Sequence, residues 1–187
     1  MLKLKFKRAS KPDLEGILYI MQKVGYLNFR FPNQSIERVR KQIESELYNR
    51  TFLICYIKCL SGQNCNNFKR IIGYSIFGPA EKFLQCPIKV KKLGFVFSLG
   101  IGIDPHYHRT GIGKKLVNYS KNEAIKDGFQ GVYGDAASNN KPSIQFQKSI
   151  GFKKIAEYSD PKRPKGVKNI LFFKEFKKIE KYGPKEN

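Results

Sequence analysis

The chain has no tryptophan, 2 histidines, 4 cysteines, and 15 acidic residues against 36 Lys and Arg in 187 residues. Each shortage excludes something. Cys55, Cys59, Cys65 and Cys86 show no C-x-x-C spacing, and a chain of this size in a reducing compartment has no need of a disulfide framework. Cys55 and Cys59 share a strand face and read as small core residues. Two histidines, His106 and His108, without a partner set of cysteines or carboxylates make a poor metal site. No apolar run is long enough to cross a bilayer. Residues 1–9 alternate Leu2, Leu4 and Phe6 with Lys3, Lys5 and Lys7, which is a strand period and not the continuous apolar core of a secretory signal. The expectation is a soluble cytoplasmic protein with no metal and no membrane partner.

The shortage of acid leaves a formal net charge of +21. Charge of one sign argues about partners, not about fold. An acidic acceptor, nonspecific nucleic-acid contact through scattered lysines, and a lysine-rich composition bias without any partner all remain open.

Periodicity orders the elements. Leu2–Arg8 is a strand. Pro12 opens a helix whose apolar stripe is Leu14, Ile17, Leu18 and Met21. Ser35 caps a second helix carrying Ile36, Val39, Ile43 and Leu47. Thr51–Cys59 and Arg70–Phe77 form a hairpin across the polar loop 61–67. After an irregular stretch over 78–93, Phe95–Ile103 is a strand. Helix 112–127 follows and ends at Gly128. Strand 130–135, helix 141–150 and strands 152–159 and 168–176 complete a single domain over 1–176, and the Lys-rich segment 177–187 is a polar tail.

The turn between the strand ending at Ile103 and the helix from Ile112 reads His108-Arg109-Thr110-Gly111-Ile112-Gly113-Lys114. The first N–H groups of a helix lack intrahelical partners and the helix dipole favours an anion there. Two glycines let the backbone turn tightly and let a phosphate approach the amides. A nucleotide P-loop needs G-K-S/T, but Gly113-Lys114 is followed by Lys115; a dinucleotide fingerprint needs a third glycine where Leu116 stands.

What remains is Q/R-x-x-G-x-G after a strand, with His108 in the first position. This loop resembles the pyrophosphate loop of the GNAT acyltransferases. Asn140-Lys141-Pro142-Ser143-Ile144-Gln145-Phe146, continuing to Gly151-Phe152, resembles that family's second cofactor segment, and the element order is similar over about residues 2–176. The resemblance implies an α/β fold, a central mixed β-sheet flanked by helices on both faces. It also implies an N-acetyltransferase that moves an acetyl group from acetyl-CoA to a primary amine by direct attack in a ternary complex. Ile101 and Ile103 would offer main-chain groups to the pantetheine arm. His108, Arg109, Thr110, Gly111, Ile112, Gly113 and Lys114 would hold the pyrophosphate, and Asn140, Ser143 and Phe146 would complete the donor site. Asn140 is equally suited to cap the helix before Pro142. Gly100 and Gly102 fit a bulge or a close backbone approach.

The chain departs from the family where side-chain chemistry belongs. Many relatives place a Tyr one residue after the Phe146 position, and here it is Gln147. The strand 95–103 carries no carboxylate, its only polar side chain being Ser98. Glu81, Tyr133 and Asp135 are the acid–base candidates near the implied cleft, Tyr133 and Asp135 on one side of their strand. Segments 22–34 and 78–93 would line the acceptor side. A catalytically weak module that binds CoA or nucleic acid is the rival reading, and monomer and homodimer both remain open.

Overall fold

A computed structural model describes residues 2–59, 69–161 and 163–176. Strand β1 (Leu2–Arg8) leads to α1 (Leu14–Lys23), which is opened by a capping box between Ser10 and Asp13. A five-residue helix α2 (Tyr26–Arg30) and α3 (Ile36–Asn49) follow. The Ser35 hydroxyl accepts from the Arg38 amide and caps α3 as its residue type predicts. Strands β2 (Thr51–Cys59) and β3 (Lys69–Pro79) form the expected hairpin. Its connecting loop, Cys65 and the tail 177–187 lie outside the described residues, as does the side chain of Cys59. The short α4 (Ala80–Phe83), β4 (Val96–Ile103), α5 (Ile112–Lys126), β5 (Gly131–Ala137), α6 (Lys141–Ser149), β6 (Lys153–Ser159) and β7 (Lys168–Glu175) complete the order.

Within 22–34, Leu27 and Phe31 are buried against the α1 core and hold α2 in place. One expectation needs correction: the stretch 78–93 is not irregular throughout but begins with α4, anchored by fully buried Ala80.

The seven strands form one mixed sheet in the order β1-β2-β3-β4-β5-β7-β6. Every neighbouring pair is antiparallel except β4 and β5. Along β2 the side chains alternate between two cores, as a period of two requires. Phe52 and Ile54 pack with α1 and α3 on one face, while Leu53 and Cys55 pack with Leu116 and Ala124 of α5 on the other. Cys55 is therefore a core residue, its thiol pushed up to about 12 by burial. Ile144 and Ile150 of α6 and its C-terminal end cover the second face further along, against Ile170 and Phe172.

Two irregularities shape the middle of the sheet. The parallel pairing of β4 and β5 covers only Val96, Phe97 and Ser98 with Val132, Tyr133 and Gly134. Beyond it the two strands part. In β4 the register against β3 slips, with Ile76 opposite Gly100 and Phe77 opposite Ser98, so Leu99 is the extra residue of a bulge.

Candidate active site

The turn after β4 is built by its own side chains. Asp104 is fully buried and accepts from Lys23 Nζ at 2.8 Å, Arg70 Nη2 at 3.1 Å and the His106 amide at 3.1 Å. Burial alone would raise this carboxyl, but the hydrogen bonds outweigh it and hold it well below the usual carboxylate range. Thr110 Oγ1 donates to the Tyr107 carbonyl at 2.7 Å, and His108 Nε2 lies 2.9 Å from the Ile103 carbonyl. Arg109 and Gly111 then adopt left-handed backbone, φ 61° and 81°, an uncommon conformation for a residue with a Cβ. The bond from Lys115 N–H to the Gly111 carbonyl at 3.1 Å opens the ladder of α5. The amides of Ile112, Gly113 and Lys114 therefore have no intrahelical acceptor. A Cβ on Gly113 would stand 3.3 Å from Phe146, so α5 and α6 meet closely at this point.

Where β4 and β5 part, a cavity of about 290 Å³ opens between them. Leu99, Ile101, Asn140, Phe146 and Gln147 line it, with Tyr26 on the α2 side. Its charged lining is Lys121, Asp135, Arg163 and Lys174. Burial raises the Asp135 carboxyl above its ordinary value, although the positive charge of Arg163 and the Tyr158 hydroxyl oppose the shift. Gln147 Nε2 donates to the Asp135 carbonyl at 3.1 Å, which fixes α6 against β5.

Tyr26 stands at the bulge. Its hydroxyl donates to the Leu99 carbonyl at 3.2 Å and accepts from Arg30 Nη1 at 2.7 Å. Arg30 is paired at 3.0 Å with Glu46 of α3, whose other oxygen lies 3.0 Å from Arg50. The ring lies so close to β4 that a Cβ on Gly100 would come within 2.8 Å of it. Gly102 is similarly covered by the Tyr74 ring. Both glycines thus answer to tyrosine packing from the α1–α2 face.

A sheet whose middle strands part above a glycine loop at a helix N-terminus is the arrangement the sequence resemblance implies. The acetyltransferase (GNAT) family profile matches residues 26–152. The chain belongs to the GNAT family. Three solved structures show how far the GNAT fold extends. An N-acetyltransferase from Staphylococcus aureus is 17% identical, with 92% of this chain and 98% of that chain covered and a TM-score of 0.66. A ribosomal-protein-alanine N-acetyltransferase from Brucella melitensis is 16% identical, with coverage of 92% and 99% and a TM-score of 0.65. A Salmonella typhimurium protein solved with its cofactor acetyl-CoA is 16% identical, with coverage of 95% and 96% and a TM-score of 0.62. No curated protein matches the chain by sequence.

Within this GNAT frame the structure sorts the candidate residues. Ile101, Asp135, Asn140, Ser143 and Phe146 come together at the cavity. Ile103 and residues His108 to Lys114 form the turn at the start of α5. Asn140 does cap α6, its side chain accepting from the Ser143 amide at 3.1 Å while it also lines the cavity.

Tyr133 and Glu81 are not brought to this cavity. Tyr133 is paired with Phe97 where β4 and β5 still run together, and its hydroxyl donates to the Lys91 carbonyl at 2.7 Å. Its ring packs against Phe95 and Phe173, 5.8 and 4.8 Å between centroids. Glu81 is exposed on α4. Tyr26 belongs to the segment 22–34 expected on the acceptor side, and it lines the cavity, but no motif singles it out from its neighbours. Its only local signal is the i,i+4 spacing to Arg30, which places both on one helix face. No helix among the described residues is long and apolar enough to cross a membrane.

Proposed function

We propose that the protein is an acetyl-CoA-dependent N-acetyltransferase acting on a primary amine by direct attack in a ternary complex. The observation that carries this reading is the cavity between the parted strands, walled by Val117, Ser120 and Lys121 of α5, the helix whose first amides lack an intrahelical acceptor. The residues fit the donor. The amides of Ile112, Gly113 and Lys114 suit a pyrophosphate, the open space around Gly111 admits it, and Leu99, Ile101 and Phe146 give the pantetheine arm an apolar wall. The donor supplies an activated thioester when bound.

The chain's own groups supply the rest. Asp135 takes a proton from the incoming amine, for which its raised carboxyl is suited. The amine nitrogen forms the new bond to the acyl carbon and the carbon–sulfur bond breaks. The N–H released at the Leu99 bulge is the donor for the acyl oxygen. Gln147 is held by its bond to β5 and carries no proton to give, so the thiol leaves as thiolate. That deficit favours a second reading, a weak enzyme that works through CoA binding.

Calorimetric titration of acetyl-CoA into the wild type and Gly111→Glu, followed by thiol release with a panel of amines, separates the outcomes. Saturable binding that is lost in the variant, together with amine-dependent thiol release, is expected. Binding without release for any amine would favour the second reading, and absence of binding would overturn both.

A further inference from the structure

The network behind Tyr26 selects the form of the amine. We propose, resting on the acetyltransferase reading above, that Tyr26 is the contact that orients the incoming amine, and that the site takes weakly basic α-amines in preference to lysine-type ε-amines. The argument begins with hydrogen-bond capacity. A phenol oxygen carries two lone pairs and one proton. In Tyr26 the proton is directed to the Leu99 carbonyl and one lone pair is taken by Arg30. One lone pair is left, on an oxygen fixed at the bulge by those two bonds, in a side chain that lines the cavity. It can accept an N–H and cannot give one.

The phenol stays protonated in this setting. Burial pushes its pKa above the ordinary tyrosine value, against the opposing effect of Arg30. The groups around it come from three elements: Arg30 on α2, Glu46 on α3 with Arg50 just after it, and the edge of the Tyr74 ring from β3 at 5.8 Å.

Charge then decides which amine form is accepted. Behind Tyr26 two guanidinium groups share one carboxylate, so an excess positive charge remains. The cavity wall adds Lys121 and Lys174 beside Asp135. A cationic, partly desolvated cleft opposes an ammonium and admits a neutral amine. An α-amine, with a reference pKa near 7.7–8.0, is about one third neutral at pH 7.5; an ε-amine near 10.4 is neutral in roughly one molecule in 800. A neutral amine with one N–H on the Tyr26 oxygen turns its lone pair away from the phenol and toward the space between β4 and β5.

The test uses one peptide in two forms: free α-amine with its lysine blocked, and blocked α-amine with its lysine free. The wild type should acetylate the α-amine form with kcat/KM at least 10-fold higher at pH 7.5. Tyr26→Phe keeps the ring against Gly100 and Tyr74 and removes only the oxygen. It should lower kcat/KM for the α-amine at least 10-fold, with acetyl-CoA affinity changed less than 2-fold and cooperative unfolding retained at a somewhat lower melting temperature. Full activity in Tyr26→Phe, preference for the ε-amine, or refusal of both peptides by a protein that binds acetyl-CoA would each overturn the proposal. Failure of the wild type to bind acetyl-CoA would overturn the acetyltransferase reading and this one with it.

Discussion

His108 Nε2 lies 2.9 Å from the carbonyl oxygen of Ile103 and so ties the turn before α5 back to the end of β4. A carbonyl only accepts, so this nitrogen carries the proton. The imidazole acts here as a strut between strand and turn. A single hydrogen bond of this kind contributes about 0.5–1.5 kcal/mol. His108→Ala should therefore weaken acetyl-CoA binding by about 2- to 10-fold with little change in melting temperature. His108→Gln, whose amide N–H can reach the same carbonyl, should recover most of the loss. Titration calorimetry on the three proteins checks this, and equal affinity in His108→Ala would remove the strut from the account.

The turn also depends on backbone that most residues resist. Gly111 has φ 81° with no heavy atom within 4 Å of where a Cβ would stand, so a substitution there meets strain and no clash. Gly111→Ala should cost about 1–2 kcal/mol, while Gly111→Asn, which tolerates the left-handed region, should cost less. Gly113 is the opposite case, because its added Cβ would face Phe146 at 3.3 Å. Gly113→Leu forces the α5–α6 contact apart and should cost about 1–3 kcal/mol and abolish acetyl-CoA binding. Denaturant unfolding and titration together separate strain from crowding.

Much of the architecture follows from local pattern. Caps at Ser35 and Asn140 and the two-residue alternation of β2 are each written in adjacent residues. The turn at Gly111 and Gly113 was legible for the same reason. Helix α2 was not. Five residues are too few to nucleate a helix alone, and Tyr26–Arg30 is held by burial of Leu27 and by Glu46 from a distant helix. The difference between Tyr133 and Asp135 was equally hidden. Both point to one side of β5, yet only Asp135 lies past Ser98–Gly134, where the pairing with β4 stops. Where two strands part is a long-range property that side-chain periodicity does not carry.

Asp13 links acid stability to the entry of α1. It is buried, with Lys7 Nζ at 2.6 Å and Lys69 Nζ at 2.5 Å. Burial raises its carboxyl, but the hydrogen bonds from Lys69, Lys7 and Ser10 prevail and lower it from 3.8 to about 2. A folded-state pKa below the unfolded value stabilises the protein above the unfolded pKa, and that stability is lost as pH falls through the folded one. The ionised carboxylate thus contributes about 2 kcal/mol at neutral pH. Asp13→Asn should be less stable than wild type at pH 7, and the gap should close between about pH 4 and pH 2. Denaturant midpoints across that range check it; a gap independent of pH would mean that packing, not charge, holds Asp13.

Asp135 should behave in the opposite sense. Burial raises its carboxyl, so in the folded protein the ionised form is the disfavoured one. On the acetyltransferase reading proposed above, that cost at neutral pH keeps a base at the cavity. Asp135→Asn removes that charge while keeping the shape, and should leave the melting temperature unchanged or higher. The same variant should lose about 10²- to 10⁴-fold in kcat, the range for a general base. In the wild type the acid limb of kcat/KM should lie above the ordinary carboxylate pKa, because the group must be ionised to accept a proton and its folded-state value is raised. Asp135→Asn should abolish that limb. Parallel melting curves and pH–rate profiles decide the matter. Loss of stability with activity retained would place Asp135 among the structural acids, beside Asp13 and Asp104.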